Sequence, residues 1–188
     1  MKKRYAKEKN NSTVDFAIGI GGAAGQGIAT PGNILARIFA RRGLRLNAYN
    51  AYQSLIRGGH TFLTIRASDG PVWSMGDALD MMIPLNQDTI DRHLHVMPTG
   101  SSVIFDEAKI KPSDAPEGVQ LCPLPIKELA AGDKLAGNTV AVAVVLNMLG
   151  IEFTDLEDAL ERIFARKGDA VVASNREIAQ RGYDYAAA

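Results

Sequence analysis

The stretch VDFAIGIGGAAGQGIATPGNILARIFARRG, residues 14–43, contains the pattern that decides the fold. Its first seven residues are apolar and of strand length, the segment GGAAGQG (residues 21–27) interrupts them, and apolar residues then recur at nearly helical spacing. This order predicts a strand that ends near Ile20, a glycine loop, and a helix. Pro31 is expected in the first turn of that helix and Gly43 at its end.

Strands and helices alternate through the next part of the chain. Strand patterns occupy residues 44–52, 60–67, 78–86 and 101–106, and a helical pattern at 88–97 separates the last two. Beyond the segment GVQLCPLP (118–125) the pattern is helical at 138–150, 153–167 and 168–186. Thr154 followed by Glu157 predicts a capping box for the second of these helices. The alternation favours a doubly wound α/β sheet.

Length and composition predict one domain without a membrane segment. The chain has 188 residues, 46% of them hydrophobic, which suits a single core at residues 14–188 behind a flexible, polar arm at 1–13. No apolar run approaches the roughly 20 residues that span a bilayer, and no apolar signal follows the basic N-terminus, so a cytoplasmic protein is expected. The one cysteine, Cys122, excludes an intrachain disulfide and a cluster-binding cysteine set. Only Tyr5 in the arm could stack on a base, so no nucleic-acid partner is predicted.

Charge is unevenly distributed in a chain whose formal net charge is zero. No Asp or Glu occurs between Asp15 and Asp69, a region that includes Arg37, Arg41, Arg42, Arg45, Arg57 and Arg66. This pattern indicates either a nearby anionic ligand or acidic partner, or an exposed helix face that the arginines merely solvate.

The glycine pattern itself is incomplete as a dinucleotide motif. Residues 19–24, GIGGAA, match G-x-G-x-x-G/A between a predicted strand and a predicted helix, where backbone N–H groups can approach a phosphate. A nicotinamide or flavin site should also have an acid about 20 residues further on, and this chain offers Asn47 and Asn50 there. NAD binding is therefore disfavoured, an NADP or coenzyme A nucleotide fits better, and close strand–helix packing is the alternative role for the glycines.

Several ordered segments together resemble the gamma subunit or domain of the 2-oxoacid:ferredoxin oxidoreductases. They are Gly25-Gln26-Gly27, the segment Ser54-Leu55-Ile56-Arg57-Gly58-Gly59 that leads into a strand, LNQDTIDRH (85–93), AGNTVAVAVVLNMLGI (136–151) and the closing FARKGDAVVASNREIAQRGYDYA (164–186). The resemblance covers nearly the whole chain from Val14 to Ala186. It is slightly stronger to the N-terminal gamma domain of fused alpha subunits than to free gamma subunits.

The resemblance implies a three-layer α/β/α sandwich with a mostly parallel, Rossmann-like or flavodoxin-like sheet and C-terminal helices. It also implies oxidative decarboxylation of a 2-oxoacid with coenzyme A, to give an acyl-CoA, CO₂ and reduced ferredoxin. Thiamine diphosphate, Mg and [4Fe-4S] clusters would then belong to alpha, beta and delta or ferredoxin-like partners in a homo- or hetero-oligomer. The chain alone would be inactive, and 2-oxoglutarate is slightly preferred over pyruvate or indolepyruvate.

The residues expected to border coenzyme A or the catalytic domains follow from these segments. They are Gly21, Gly22, Gly25, Gln26, Gly27, Ser54, Arg57, Gly58, Gly59, Asn86 and Asn138. Each has a structural alternative: an interdomain salt bridge for Arg57, a turn for Gly58 and Gly59, a loop cap for Gln26, an Asx turn for Asn86 and an N-cap for Asn138.

No catalytic residue and no metal site is predicted within this chain. His93 and His95 are two residues apart and cannot share a helix face, and His60 alternates onto the face of Phe62 as a structural or interface residue. Cys122 reads as a small buried hydrophobe. Trp73 and the pair Met81 and Met82 read as core or interface residues.

Two other functions are consistent with the residues alone. One is a free-standing NADP-type nucleotide-binding module, which would bind a dinucleotide without partners. The other is an assembly platform without a small-molecule site, in which reversing the charge of Arg57 and Arg41 would weaken assembly but not coenzyme A affinity.

Overall fold

The computed structural model of the protein describes residues 14–52, 59–133 and 136–187. Its strands are β1 (Asp15–Ala23), β2 (Arg45–Tyr52), β3 (His60–Ser68), β4 (Met81–Pro84), β5 (Ser102–Asp106) and β6 (Gln120–Leu124). Its α-helices are α1 (Ala29–Arg41), α2 (Gln87–His93), α3 (Ile126–Leu129), α4 (Gly137–Met148), α5 (Phe153–Phe164) and α6 (Asp169–Tyr185). Two short 3₁₀ helices, Leu94–Val96 and Ala165–Lys167, follow α2 and α5. The predicted arm at 1–13 lies outside the described residues.

The strands form one mixed sheet in the order β2-β3-β1-β4-β5-β6. β1, β4, β5 and β6 are parallel to one another, whereas β3 is antiparallel to both of its neighbours, β1 and β2. β2 therefore points in the same direction as β1, and only β3 is reversed. The mostly parallel α/β sheet with helices on both sides is confirmed.

Five strands end, and the reversed strand β3 begins, at the same edge of the sheet. The carboxyl ends of β1, β2, β4, β5 and β6 share this edge with the start of β3, since Ala23 pairs with His60. We call it the carboxyl edge. In open α/β sheets it is the edge at which ligands bind.

Side chains from the two faces of the sheet pack into two apolar cores. Alternation along β4 sends Met81 and Ile83 into the larger core and Met82 into the smaller one. The larger core contains apolar residues of α1, α4, α5 and α6, and the smaller one contains Ile90 of α2 and Leu94. Met81 and Met82, predicted as core or interface residues, are fully buried in the core.

Helix α4 is buried on every side because nearly all of its residues are apolar. Residues 139–147 are all buried, and α4 contacts β5, α1, α5 and α6. Gly182 of α6 lies directly on α4, since a Cβ at this position would be 3.0 Å from the Val140 carbonyl oxygen. No helix of the described residues combines the length and apolarity that a bilayer crossing needs.

Two local predictions differ from the structure, and one strand was not predicted. β1 continues through Gly21 and Gly22 to Ala23 instead of ending at Ile20, because β3 remains paired with it along this whole length. The segment at 120–124 forms the edge strand β6, where the missing N–H of Pro123 is tolerated. The capping box is wrong: α5 begins at Phe153 with Glu152 as N-cap, so Thr154 lies inside the helix.

Two features account for the earlier start of α5. The Phe153 ring packs edge-on against Tyr183, with centroids 5.4 Å apart. Glu157 forms a salt bridge with Arg176 instead of reaching back to the helix start.

Candidate functional site

A tight turn joins β1 to α1 at the carboxyl edge. Gly25 and Gly27 have φ values of +95° and +78°, a backbone region that residues with a side chain rarely adopt. The N–H of Gln26 donates to the Ala23 carbonyl at 3.0 Å, and the N–H of Ala24 donates to the Gly59 carbonyl at 3.0 Å. The turn is exposed from Ala24 to Gly27 and is therefore accessible to a ligand.

Gly19 and Gly21, earlier in the same pattern, have a different role. A Cβ at Gly19 would lie 2.5 Å from the Phe62 ring, and one at Gly21 would collide with both Phe62 and the Thr89 methyl group. The Phe62 ring thus occupies the space that these two glycines leave on the sheet. Gly21 allows α2 and Phe62 to approach β1 closely, which is the packing alternative that the sequence offered for the glycines.

Gln26 connects the glycine turn to α2. Its Oε1 accepts hydrogen bonds from the Ala23 N–H at 2.6 Å and from the Asn86 side-chain amide at 2.9 Å. Asn86 is the N-cap of α2, and its Oδ1 accepts from the Thr89 N–H at 2.9 Å. Gly22 is also in this cluster, because a Cβ there would be 2.7 Å from Gln26 Oε1.

Asn138 connects the same turn to α4. Its Nδ2 donates to the carbonyl oxygens of Gln26 and Gly27 at 3.2 and 3.4 Å. The predicted N-cap role of Asn138 is wrong, since Ala136 is the N-cap and Asn138 is inside α4. The side chain turns toward the glycine turn because two carbonyl oxygens there accept from its amide.

Two helices begin beside this cluster and point their N-termini at the same space. α1 and α4 start at Ala29 and Gly137, neither has an acidic residue in its first turn, and among the described residues no side chain caps either one. Helix N-termini have unpaired N–H donors and a partial positive charge, so two of them together favour an anionic group.

A cleft of about 690 Å³ opens between these helix starts and the ends of β4, β5 and β6. Gly25, Gln26, Gly27 and Thr30 line one side and Gly137, Asn138 and Thr139 another. Lys109 and Lys167 also border it, with Lys109 paired to Asp106 at 2.9 Å. The volume and the mixture of N–H donors, lysines and apolar walls suit part of a phosphate-containing ligand.

A pair of histidines lies at the carboxyl edge on the α2 side of the sheet. Nε2 of His60 is 3.0 Å from Nε2 of His93, and His60 Nδ1 is 3.5 Å from an Asp88 carboxylate oxygen. His93 also packs on Phe62, with ring centroids 4.1 Å apart. The expected placement of His60 on the Phe62 face is confirmed, whereas its contact with His93 gave no signal in the sequence, since 33 positions separate the two.

Burial is the main cause that lowers the pKa of both imidazoles. For His60 the Asp88 charge opposes this effect, and for His93 the charges of His60, Arg92 and His95 add to it. The two rings share one hydrogen bond when both are neutral. Protonation of both rings would place two cations in contact. Among the described residues, no three His, Cys, Asp or Glu side chains are grouped so as to hold a metal ion.

The histidine pair predicts a stability that decreases in mild acid. Because the folded-state pKa values are depressed, the unfolded chain binds more protons, and the free energy of unfolding should fall as the pH drops below about 6.5. The pKa of Asp88 is also lowered, mainly by its hydrogen bond with Arg92. This shift affects the free energy of unfolding only below about pH 4. Thermal unfolding measured from about pH 7.5 to 5 should therefore show a smaller pH dependence for His93→Gln than for the wild type.

His95→Gln is the control for this measurement, since His95 is exposed and two residues away. It should change the pH dependence less than His93→Gln does, because the charge of His95 is one of the smaller causes that lower the pKa of His93. Equal slopes for His93→Gln and the wild type would show that the pair does not cause the acid sensitivity.

Three of the described arginines of the cationic half form salt bridges away from the cleft. Arg41 and Arg42 pair with Asp158 and Asp155 at 3.1 and 2.6 Å, and Arg66 pairs with Asp15 at 2.7 Å. Asp15 starts β1, so its pair with Arg66 marks the edge of the sheet opposite the glycine turn. These arginines form salt bridges within the domain and do not line the cleft.

Most of the described candidate residues come together, Gly21 instead packs against Phe62 and Thr89, and the remaining candidates are outside the described part. Gly22, Gly25, Gln26, Gly27, Gly59, Asn86 and Asn138 surround the glycine turn. Ser54, Arg57 and Gly58 lie outside the described residues, and their roles remain predictions. Cys122 is half-buried and burial raises the pKa of its thiol, which suits an unreactive side chain.

The topology argues against a dinucleotide bound in the usual nicotinamide mode. In that mode an acid at the end of the strand beside β1 holds the ribose. Here β3 separates β2 from β1, and β2 ends at Tyr52 without a carboxylate. Neither β2 nor β4, the parallel neighbour of β1, therefore ends in an acid that could hold the ribose.

Comparison with known proteins identifies relatives over nearly the whole chain. The model of the family described as pyruvate ferredoxin/flavodoxin oxidoreductase matches residues 17–185. The ketoisovalerate oxidoreductase subunit VorA of Methanothermobacter marburgensis is 28% identical over 177 residues, which are 92% of this chain but 37% of that protein. The indolepyruvate oxidoreductase subunit IorB of Archaeoglobus fulgidus is 26% identical, with 88% of this chain and 92% of that protein covered.

Solved structures show the same fold. A 2-oxoglutarate:ferredoxin oxidoreductase from Magnetococcus marinus, determined with 2-oxoglutarate, coenzyme A and succinyl-CoA bound, superposes with a TM-score of 0.84 at 27% identity. The match covers 92% of this chain and 31% of that one. The gamma subunit of a keto/oxoacid ferredoxin oxidoreductase from Geobacter sulfurreducens has a TM-score of 0.75 at 24% identity, and the match covers 92% of this chain and 98% of that one.

Proposed function

Because this chain belongs to the pyruvate ferredoxin/flavodoxin oxidoreductase family, we propose that it is the coenzyme A-proximal domain or subunit of a 2-oxoacid:ferredoxin oxidoreductase. The assembled enzyme would convert a 2-oxoacid and coenzyme A to an acyl-CoA and CO₂, passing the electron pair to ferredoxin. Its relatives are subunits of enzymes of this kind, and this chain spans 37% of VorA and 31% of the Magnetococcus chain.

The redox chemistry is assigned to partner subunits or domains because the sequence has too few thiolates for it. Iron–sulfur clusters need several cysteine thiolates, and the sequence contains Cys122 alone. We therefore assign thiamine diphosphate, Mg and the [4Fe-4S] clusters to alpha, beta and ferredoxin-like partners.

Coenzyme A is the ligand that the cleft fits best. The observation that carries this proposal is the convergence of the α1 and α4 N-termini on one cleft, with the glycine turn tied to both α2 and α4 by Gln26 and Asn138. Phosphate oxygens would accept from backbone N–H groups there, and Lys167 would add positive charge. Lys109 is paired with Asp106, and Asp133 also lines the cleft. This chain would bind and orient coenzyme A without transferring a proton or an electron.

The 2-oxoacid is proposed to be 2-oxoglutarate, in a cytoplasmic enzyme. The support is similarity alone, because the Magnetococcus structure has the highest TM-score of the two solved structures described above. Relatives named for ketoisovalerate and indolepyruvate lie at similar identity, so the substrate assay must include all three acids.

Affinity purification from the native host tests this function. With this chain as bait, we expect to recover a polypeptide that binds thiamine diphosphate and a cysteine-rich, ferredoxin-like polypeptide. The recovered assembly should reduce a viologen dye only when a 2-oxoacid and coenzyme A are both present.

Two controls accompany this experiment. The purified chain alone should show no cluster absorbance and no turnover, and the assembly without coenzyme A should not form acyl-CoA. Turnover by the chain alone would contradict the proposal. Recovery of a lone chain that binds NADPH would support the NADP-type module instead.

A further inference from the structure

The two ends of the sheet differ in how they are protected against pairing with another strand. β6 forms one end and contains Pro123, which has no N–H to donate, and Pro125 follows it. β2 forms the other end, and from Leu46 to Tyr52 it contains neither a proline nor a charged residue. An edge strand without charge or proline from Leu46 to Tyr52 is a template for an added strand.

Exposed aromatic side chains surround this open edge. Tyr49 and Tyr52 are 62% and 75% exposed, and because they are three residues apart on a strand they lie on opposite faces of the sheet. Trp73 is 89% exposed on the loop after β3, and this loop is held by the Arg66 guanidinium, which donates to the Ser74 carbonyl at 3.1 Å. Arg66 pairs in register with Asn47 of β2 and with Ala17 of β1, so the loop starts at the edge of the sheet opposite the carboxyl edge, whereas Tyr52 lies at the carboxyl edge.

These three residues are most of the large apolar side chains that the described part of the chain exposes. The others are Val96 and Tyr185, which lie on different elements. Exposed aromatics around a strand that can accept backbone hydrogen bonds are characteristic of a protein interface. We define the β2 edge surface as β2 with Tyr49, Tyr52 and Trp73.

We propose that the β2 edge surface binds the polypeptide that carries the thiamine-diphosphate chemistry, through an extended, uncharged segment that adds a strand beside β2. This inference rests on the proposed function. In VorA and in the Magnetococcus chain, about two thirds of the length lies outside the part that this domain matches, so the catalytic part must pack on one of its surfaces. The large-core face of the sheet is covered by the domain's own helices, whereas among the described residues no strand pairs with the outer side of β2.

A charge-introducing double variant tests the proposal on the purified assembly. Tyr49→Lys combined with Tyr52→Lys places two charges on the edge, as natural edge strands do to prevent pairing. We expect its affinity for the thiamine-diphosphate polypeptide to fall at least about tenfold, measured by surface plasmon resonance. Val96→Lys, at a residue also 62% exposed, is the matched control and should bind as the wild type does.

Hydrogen–deuterium exchange gives a second readout that does not depend on substitution. In the complex, amides of β2 should be protected relative to the free chain, and those of β6 should not. Thermal unfolding of the double variant should stay within a few degrees of the wild type, which shows that the domain is folded.

The possible results separate this proposal from the proposed function. Recovery of no thiamine-diphosphate polypeptide would contradict the proposed function itself. Wild-type affinity of the double variant, or unchanged exchange of β2, would overturn the β2 edge surface and leave the proposed function standing. Protection of β2 in the free chain that grows with its concentration would identify a second copy as the occupant and would also overturn the proposal.

Discussion

Replacing Gly21 by valine is expected to lower the free energy of unfolding by about 3 kcal/mol, even without any ligand. The new side chain would enter the space filled by the Phe62 ring and the Thr89 methyl group, both of which are held between the sheet and α2. Neither neighbour can move without opening the smaller core, because Thr89 is fully buried and Phe62 almost so. Urea denaturation of the purified chain measures the effect directly.

Two further variants show whether this loss is specific. Ala51→Val puts the same side chain on an exposed position of β2 and should leave stability nearly unchanged. Gly25→Ala should cost less, roughly 1 kcal/mol, because its Cβ would meet open space and only the positive φ is strained. If Gly21→Val were as stable as the wild type, the packing role assigned to Gly21 would be wrong.

Replacing Asn138 by aspartate is expected to raise the KM of the assembled enzyme for coenzyme A by roughly tenfold to a hundredfold. The Asn138 amide donates to two carbonyl oxygens of the glycine turn, and a carboxylate would face the same oxygens without a proton to share. The added negative charge would also stand between the N-termini of α1 and α4, where a phosphate is proposed to bind. Steady-state kinetics with coenzyme A as the varied substrate measures this change.

A matched variant and a lower pH distinguish the effect of the added charge on the KM from the effect of the altered side-chain shape. Asn138→Ser removes most of the side chain without adding charge and should raise the KM less than aspartate does. Lowering the pH should partly restore Asn138→Asp, because a protonated carboxyl group can donate to one of the carbonyl oxygens. An unchanged KM for Asn138→Asp would mean that coenzyme A does not approach the start of α4.

Local patterns were sufficient to predict much of the fold. β1, α1 and the closing helices α4 to α6 follow from apolar spacing, and Gly43 ends α1 with a φ of +80° as expected. Contacts between distant elements determined where β1 ends and that β6 forms. The glycines at 21 and 22 stay in β1 because Phe62 and β3 pack there, and β6 tolerates Pro123 because it lies at an edge.

Residues of the candidate site could be proposed from the sequence, but the contacts between their side chains could not. Gln26, Asn86 and Asn138 stood out by their positions at the ends of elements, and the structure brings them into one hydrogen-bonded cluster. Which atoms they contact depends on how α2 and α4 dock, and no local pattern contains that information. The same limit hid the contact between His60 and His93. Trp73, predicted as a core or interface residue, is almost fully exposed and so is not in the core.

The reversed strand also constrains the order in which the sheet can form. β2 has β3 as its neighbour and no contact with β1 in the ladder, while β3 joins β1 by pairs as distant in sequence as Asp15 and Ser68. Closing so long a loop is slow, whereas β2 and β3 follow each other in the chain and pair at residues as near as Tyr52 and Thr61. We therefore expect β2 and β3 to pair with each other before β3 docks on β1, so the β2 edge enters the sheet as half of a hairpin that is already formed.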